Sequence, residues 1–131
     1  MQFLLTFHGE VRWLVALVGV AAVVRFAYGS FARGRFGGLD RGLMAGFTGL
    51  LDVNLLLGLI LLFGLPGGMV GFRIEHATTM VLAVVAAHVS AMWRRSDDDA
   101  RKFRNNLVVV LIALALVAIG VLRLRGGWIF R

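Results

Sequence analysis

The sequence predicts an all-α protein, an integral membrane four-helix bundle running up-down-up-down, and three observations carry that prediction. The 131 residues are 60% hydrophobic and only 16% charged, with a mean hydropathy of +0.87, where soluble domains run at about 45–50% apolar and 25% charged. The apolar residues fall into four runs of about 20 residues, the length that the hydrocarbon of a bilayer requires of a helix. The connections are short, which favours antiparallel neighbours. Together they occupy the whole chain, 1–131, as a single transmembrane domain with no room for a soluble one.

Helix 1 is expected over about residues 3–28. Its part from Trp13 to Val24 is uniformly apolar, whereas His8, Glu10 and Arg12 make its start too polar to face lipid all round. A glycine-rich loop with Arg33, Arg35 and Arg41 follows. Helix 2, about 43–63, carries Asp52 and Asn54 near its middle and stops at Leu65-Pro66-Gly67-Gly68, since proline cannot continue a helix. Helix 3, about 76–93, lies between Arg73-Ile74-Glu75-His76 and Arg94-Arg95, with His88 inside it. The acidic run Asp97-Asp98-Asp99 among arginines suits a solvated loop. Helix 4, about 107–122, has no polar side chain. A basic tail with Trp128 and Phe130 suits an interface.

Charge distribution gives the topology. Arg25, Arg33, Arg35, Arg41, Arg94, Arg95, Arg101, Lys102 and Arg104, nine of the 14 basic residues, flank the first and third loops. By the positive-inside bias those loops are cytoplasmic and both termini are outside. The net charge of +7 therefore reflects helix anchoring, and nucleic acid is not an expected partner. No cationic leader with a cleavage site opens the chain, so helix 1 is expected to be retained. Absence of cysteine rules out disulfides, thiolate metal sites and covalently attached haem.

Ionisable groups within a membrane are functional candidates, and their depths can be compared by counting from each helix's cytoplasmic end. His8 is 17 residues from Arg25 and His76 is 18 from Arg94, so the two imidazoles share a level near the outer surface. Arg12, Asn54 and Asp52 stand 13, 13 and 11 residues out, near the midplane; Glu10 and Thr79 fall between the layers, and His88 is alone in the inner half. Helices 1 and 3 are diagonal partners in a simple bundle. Two neutral imidazoles on such helices at one depth are what axial ligation of a b-type haem needs, and Arg12 or Arg73 would pair with its propionates. Gly9, Gly46, Gly49 and Gly58 would admit a flat macrocycle or close helix packing. The deeper residues Glu10, Arg12, Asp52, Asn54, Thr79 and His88 form a polar intramembrane layer, in which Arg12 is expected opposite Asp52.

Plainer readings suit the same residues. His8 and His76 also fit interfacial positions facing headgroups or water, Arg12 with Asp52 fits a structural pair that sets helix register, and His88 fits a hydrogen bond inside the bundle to Ser90 or a backbone carbonyl. Walker, Rossmann, zincin and nucleophile-elbow patterns are absent.

His8-Gly9-Glu10-Val11-Arg12-Trp13, Asp40-Arg41, Asp52-Val53-Asn54-Leu55-Leu56-Leu57-Gly58-Leu59, Arg73-Ile74-Glu75-His76 and His88 together resemble the small four-helix prokaryotic membrane proteins often labelled "cytochrome b" or left uncharacterised. The resemblance covers nearly the whole chain and implies haem b and a prokaryotic inner membrane. This chain departs from that pattern at Thr6, where a second helix 1 histidine is common, and at Asp52 and Asn54, where histidine or glutamine is common; His8 and His76 remain as the matched pair. The expected function is a small b-type cytochrome-like electron carrier, not a complete enzyme alone, with metal ligands His8 and His76, with Arg12 and Arg73 completing the cofactor site, and with quinol, a quinone or a larger membrane redox complex as partner. The alternatives are a cofactor-free accessory subunit of a respiratory or photosynthetic complex, docked through helix 4, and a proton-coupled carrier built on Glu10, Arg12 and Asp52.

Overall fold

The computed structural model describes residues 2–67 and 70–122; the basic tail with Trp128 and Phe130 lies outside the described residues. Four helices make up most of what is described: α1 (Gln2–Phe31), α2 (Gly38–Gly64), α3 (Gly71–His88), which tightens into a 3-10 turn over Val89–Trp93, and α4 (Asp99–Leu122). All four are long and apolar enough to cross a membrane, the third when its 3-10 extension is included. α1 packs on α2 and α4, and α3 packs on the same two, which sets α1 and α3 across the diagonal of an all-α bundle.

Three helices begin before their apolar runs do: α2 at Gly38 where Leu43 was expected, α3 at Gly71 where His76 was expected, and α4 at Asp99 where Leu107 was expected. Hydropathy marks the part embedded in hydrocarbon, whereas backbone hydrogen bonding continues outward until a cap ends it. At α4 the cap is Asp98, whose Oδ1 accepts the N–H of Arg101 at 3.1 Å. The acidic run is thus a helix start and not only a solvated loop, and carboxylates there also meet the positive end of the helix dipole. At α2, Asp40 accepts the N–H of Gly37 at 2.9 Å and also binds Arg25 of α1, with Nε donating to Oδ1 at 2.6 Å and the terminal nitrogen to Oδ2 at 3.2 Å. A bidentate guanidinium on a fully buried carboxylate ties α1 to α2 at the end that holds the first and third loops.

That end is packed solid. The rings of Phe26, Phe36 and Phe103 meet with centroids 5.1–6.3 Å apart, and Gly29 lets the Phe103 ring lie directly on the α1 backbone. Trp93 in the 3-10 turn donates its indole N–H to the buried Asn106 of α4 at 2.8 Å. Trp93→Phe leaves that carboxamide oxygen unpaired and should cost about 1–3 kcal/mol, read as a lower unfolding midpoint in detergent with unchanged helicity.

α4 is the most enclosed span, with 39% of its apolar window buried, against 17% for α2 and 11% for α3. Ala113, Val117 and Gly120 let its neighbours come close. The helix expected to dock on a larger complex is therefore the one most covered by its own chain, and the broad lateral surfaces belong to α2 and α3.

Candidate functional site

The opposite end of the bundle is hollow. A cavity of about 680 Å³ is lined by residues of all four helices, inside the range of about 300–1,000 Å³ typical of small-molecule and cofactor sites. The core face of each helix, followed to this end, delivers the lining. On α1 the buried positions Val11, Val15, Gly19, Ala22, Phe26 and Gly29 recur every three or four residues, and one step further back is His8. On α2 the series Met44, Phe47, Leu51 and Leu61 is completed by Asn54 and Gly58. On α3, Ala83 and Ala87 extend back through Met80 to His76. The core stripes of α1, α2 and α3 thus bring His8 with Arg12, Asn54 and His76 to the cavity, while α4 contributes the apolar Val117 and Val121.

His8 and His76 meet across the diagonal with ring centroids 6.5 Å apart and planes at 86°. His76 Nδ1 lies 2.9 Å from the carbonyl oxygen of Gly120. A carbonyl only accepts, so Nδ1 carries the proton and the neutral ring keeps its lone pair on Nε2. Gly120 permits this contact because α3 rests on its bare Cα: a Cβ there would overlap the end of the Met80 side chain and stand 3.3 Å from Thr79 Cγ2. The His8 ring lies over Gly58, where an added Cβ would come within 3.1 Å of its Cε1. His8 Nδ1 and Asn54 Oδ1 are both buried in the cavity wall, and Asn54 is the polar neighbour of the His8 ring.

Arg12, buried one turn after His8, lines the same cavity, as do Arg73 and the exposed Glu10. Arg73 sits over the Phe72 ring, 6.0 Å from its centroid, and against Gly67, whose φ of +97° turns the chain between α2 and α3.

The spacing of the ring pair is compatible with both imidazoles binding one metal from opposite sides, at metal–nitrogen distances of about 2.0–2.1 Å. A histidine whose other nitrogen donates to a backbone carbonyl is the usual outer-shell arrangement of a metal ligand. Among the described residues no group of three or more His, Cys, Asp or Glu is placed to hold a bare metal ion. A macrocycle that brings its own equatorial nitrogens needs just two axial ligands from the protein, and the cavity around the two rings offers mainly apolar walls with two arginines.

No family model, curated protein or solved structure matches the chain.

Of the residues singled out from sequence, His8, His76, Arg12, Arg73, Glu10 and Asn54 share the cavity. Three others do not. Asp52 does not face Arg12; its oxygens lie 2.8 and 3.0 Å from His88 Nε2 on the outer side of α2 and α3. Asp52 and Asn54 are two residues apart and so point to different faces of α2; the one that faces the core is Asn54. His88 accordingly bonds a carboxylate outside the bundle, not Ser90 or a backbone carbonyl within it. Thr79 turns its methyl to Gly120 and its hydroxyl back to the Glu75 carbonyl at 2.8 Å, which removes it from the polar layer. Depth counting located these residues along the membrane normal but carries no information about azimuth. Gly120 and the Arg25–Asp40 pair escaped the sequence reading: a carbonyl leaves no trace in residue type, and partners 15 apart across a loop have no periodic signal.

Proposed function

We propose that this chain is a small b-type cytochrome-like electron carrier of a prokaryotic inner membrane, holding haem b between His8 and His76. The observation that carries the reading is the pair of opposed imidazoles at 6.5 Å, one of them fixed with its Nε2 lone pair available by the Gly120 carbonyl. Haem bound there supplies reversible one-electron transfer at iron. The protein's part is to orient the two ligands, to offset the propionate charges with Arg12 and Arg73, and to exclude water with Val15, Met80, Val117 and Val121. With the basic loops cytoplasmic, the site lies near the outer surface, where quinol or a larger membrane redox complex would exchange electrons with it.

The test is an optical spectrum of the protein purified in mild detergent. A dithionite-reduced band of a low-spin b haem is expected, lost in His8→Ala and in His76→Ala and kept in His88→Ala. A protein without chromophore that co-purifies stoichiometrically with other subunits would instead be a cofactor-free accessory subunit.

A further inference from the structure

The two imidazoles of the cavity stand on helix backbones in the same way. His76 reaches the Gly120 carbonyl where α4 carries no side chain. His8 lies over Gly58, the bare position of α2, where the place of the missing Cβ is 3.1 Å from its Cε1 and 3.8 Å from its Nδ1. In an α-helix the carbonyl that serves Gly58 belongs to the residue four before it, Asn54. Asn54 neighbours the His8 ring twice, through that backbone carbonyl and through its side-chain carboxamide. The carboxamide shares the cavity-facing side of α2 with Gly58.

These neighbours decide which proton His8 carries. Its Nδ1 and the Asn54 Oδ1 are both buried in the cavity wall, and buried polar atoms take their partners from the protein. A carboxamide can turn either its oxygen or its NH2 to a ring nitrogen, but a backbone carbonyl cannot turn and only accepts. With Oδ1 presented, both Asn54 groups act as acceptors, and the ring nitrogen they meet carries the hydrogen. A neutral imidazole with its proton on Nδ1 keeps its lone pair on Nε2.

We propose that Asn54 is the positioning residue of His8: its carboxamide oxygen, beside its own backbone carbonyl, holds the ring as the Nδ1–H tautomer and turns the Nε2 lone pair into the cavity. Gly120 does the same for His76 with a backbone group alone. What the His8 lone pair binds rests on the haem reading above, whereas the tautomer is a property of the haem-free protein. A buried carboxamide among apolar walls is costly unless it is bonded, and this bond gives Asn54 its use.

The test has two arms. Nitrogen NMR of haem-free protein labelled with 15N-histidine, in detergent at a pH where the rings are neutral, is expected to show His8 protonated on Nδ1, the signal being assigned by its loss in His8→Ala. Asn54→Leu, similar in shape but without the acceptor, is expected to lose most of that tautomer, and Asn54→Asp to keep it. In haem-loaded protein the midpoint potential is expected to rise in Asn54→Leu and to fall in Asn54→Asp, because a stronger acceptor behind a ligating imidazole makes it more basic and favours the oxidised metal. A side chain that only filled space would change haem content without moving the potential in two directions. His8 protonated on Nε2, a tautomer unchanged in Asn54→Leu, or potentials shifted the same way in both variants overturns the proposal. An Nδ1–H tautomer lost in Asn54→Leu, in a protein that takes up no haem, upholds the Asn54 contact and refutes the haem reading instead.

Discussion

Gly58→Leu is expected to empty the histidine site while leaving the bundle folded. A Cβ at this position already comes within 3.1 Å of His8 Cε1 and 3.6 Å of Nε2, closer than the ring tolerates without moving. The rest of a leucine would push the imidazole off the α2 backbone and out of register with His76. Loss of the contacts that orient a ligand typically costs about 10–100-fold in metal affinity, so haem per protein should fall clearly below that of the unaltered protein in Gly58→Leu. Gly58→Ala, which asks the ring to shift only a few tenths of an ångström, should fall between. Pyridine haemochrome content against protein mass reads the result, and circular dichroism reads helicity. Full haem content in Gly58→Leu would mean that the His8 ring over Gly58 is not the bound conformation.

Gly29→Val is expected to be the most destabilising single change at the other end. Gly29 is buried in the last turn of α1, and the Phe103 ring occupies the place of its missing side chain. Phe103 is itself locked by Phe26 and Phe36 and carries the Arg25 guanidinium 5.3 Å from its ring centroid, so it has nowhere to go. Overpacking of such a site costs about 1–3 kcal/mol, and valine, branched at Cβ, should reach the upper end. Gly71→Ala, at the start of α3 with nothing within 4 Å of an added Cβ, should stay within about 0.5 kcal/mol of the unaltered protein. Thermal unfolding in detergent separates the two. An unchanged midpoint for Gly29→Val would contradict the packing described between α1 and α4.

Particular residues show how far the sequence could be read. The four spans were legible because about 20 apolar residues in a row have few other uses. The shared level of His8 and His76 was legible because helical rise is constant, so depth can be counted from charged boundaries. Azimuth was not, and Asp52 is the case in point: it shares a depth with Arg12 and points away from it. The α4 start was missed: Asp98 caps the helix, but the charge run in which it sits reads as a solvated loop.

What the sequence alone determined, then, is an all-α chain of four membrane-length helices with polar residues at defined depths, since length, hydropathy and rise are local properties that survive any arrangement of neighbours. The tertiary structure decided which of those residues meet. It placed two imidazoles 6.5 Å apart over one hollow end, set a backbone carbonyl of α4 against one of them, and turned the Asp52–His88 pair outward. Those outcomes depend on the rotation of each helix about its axis, which is settled by side chains on the neighbouring helices and by glycines that admit them.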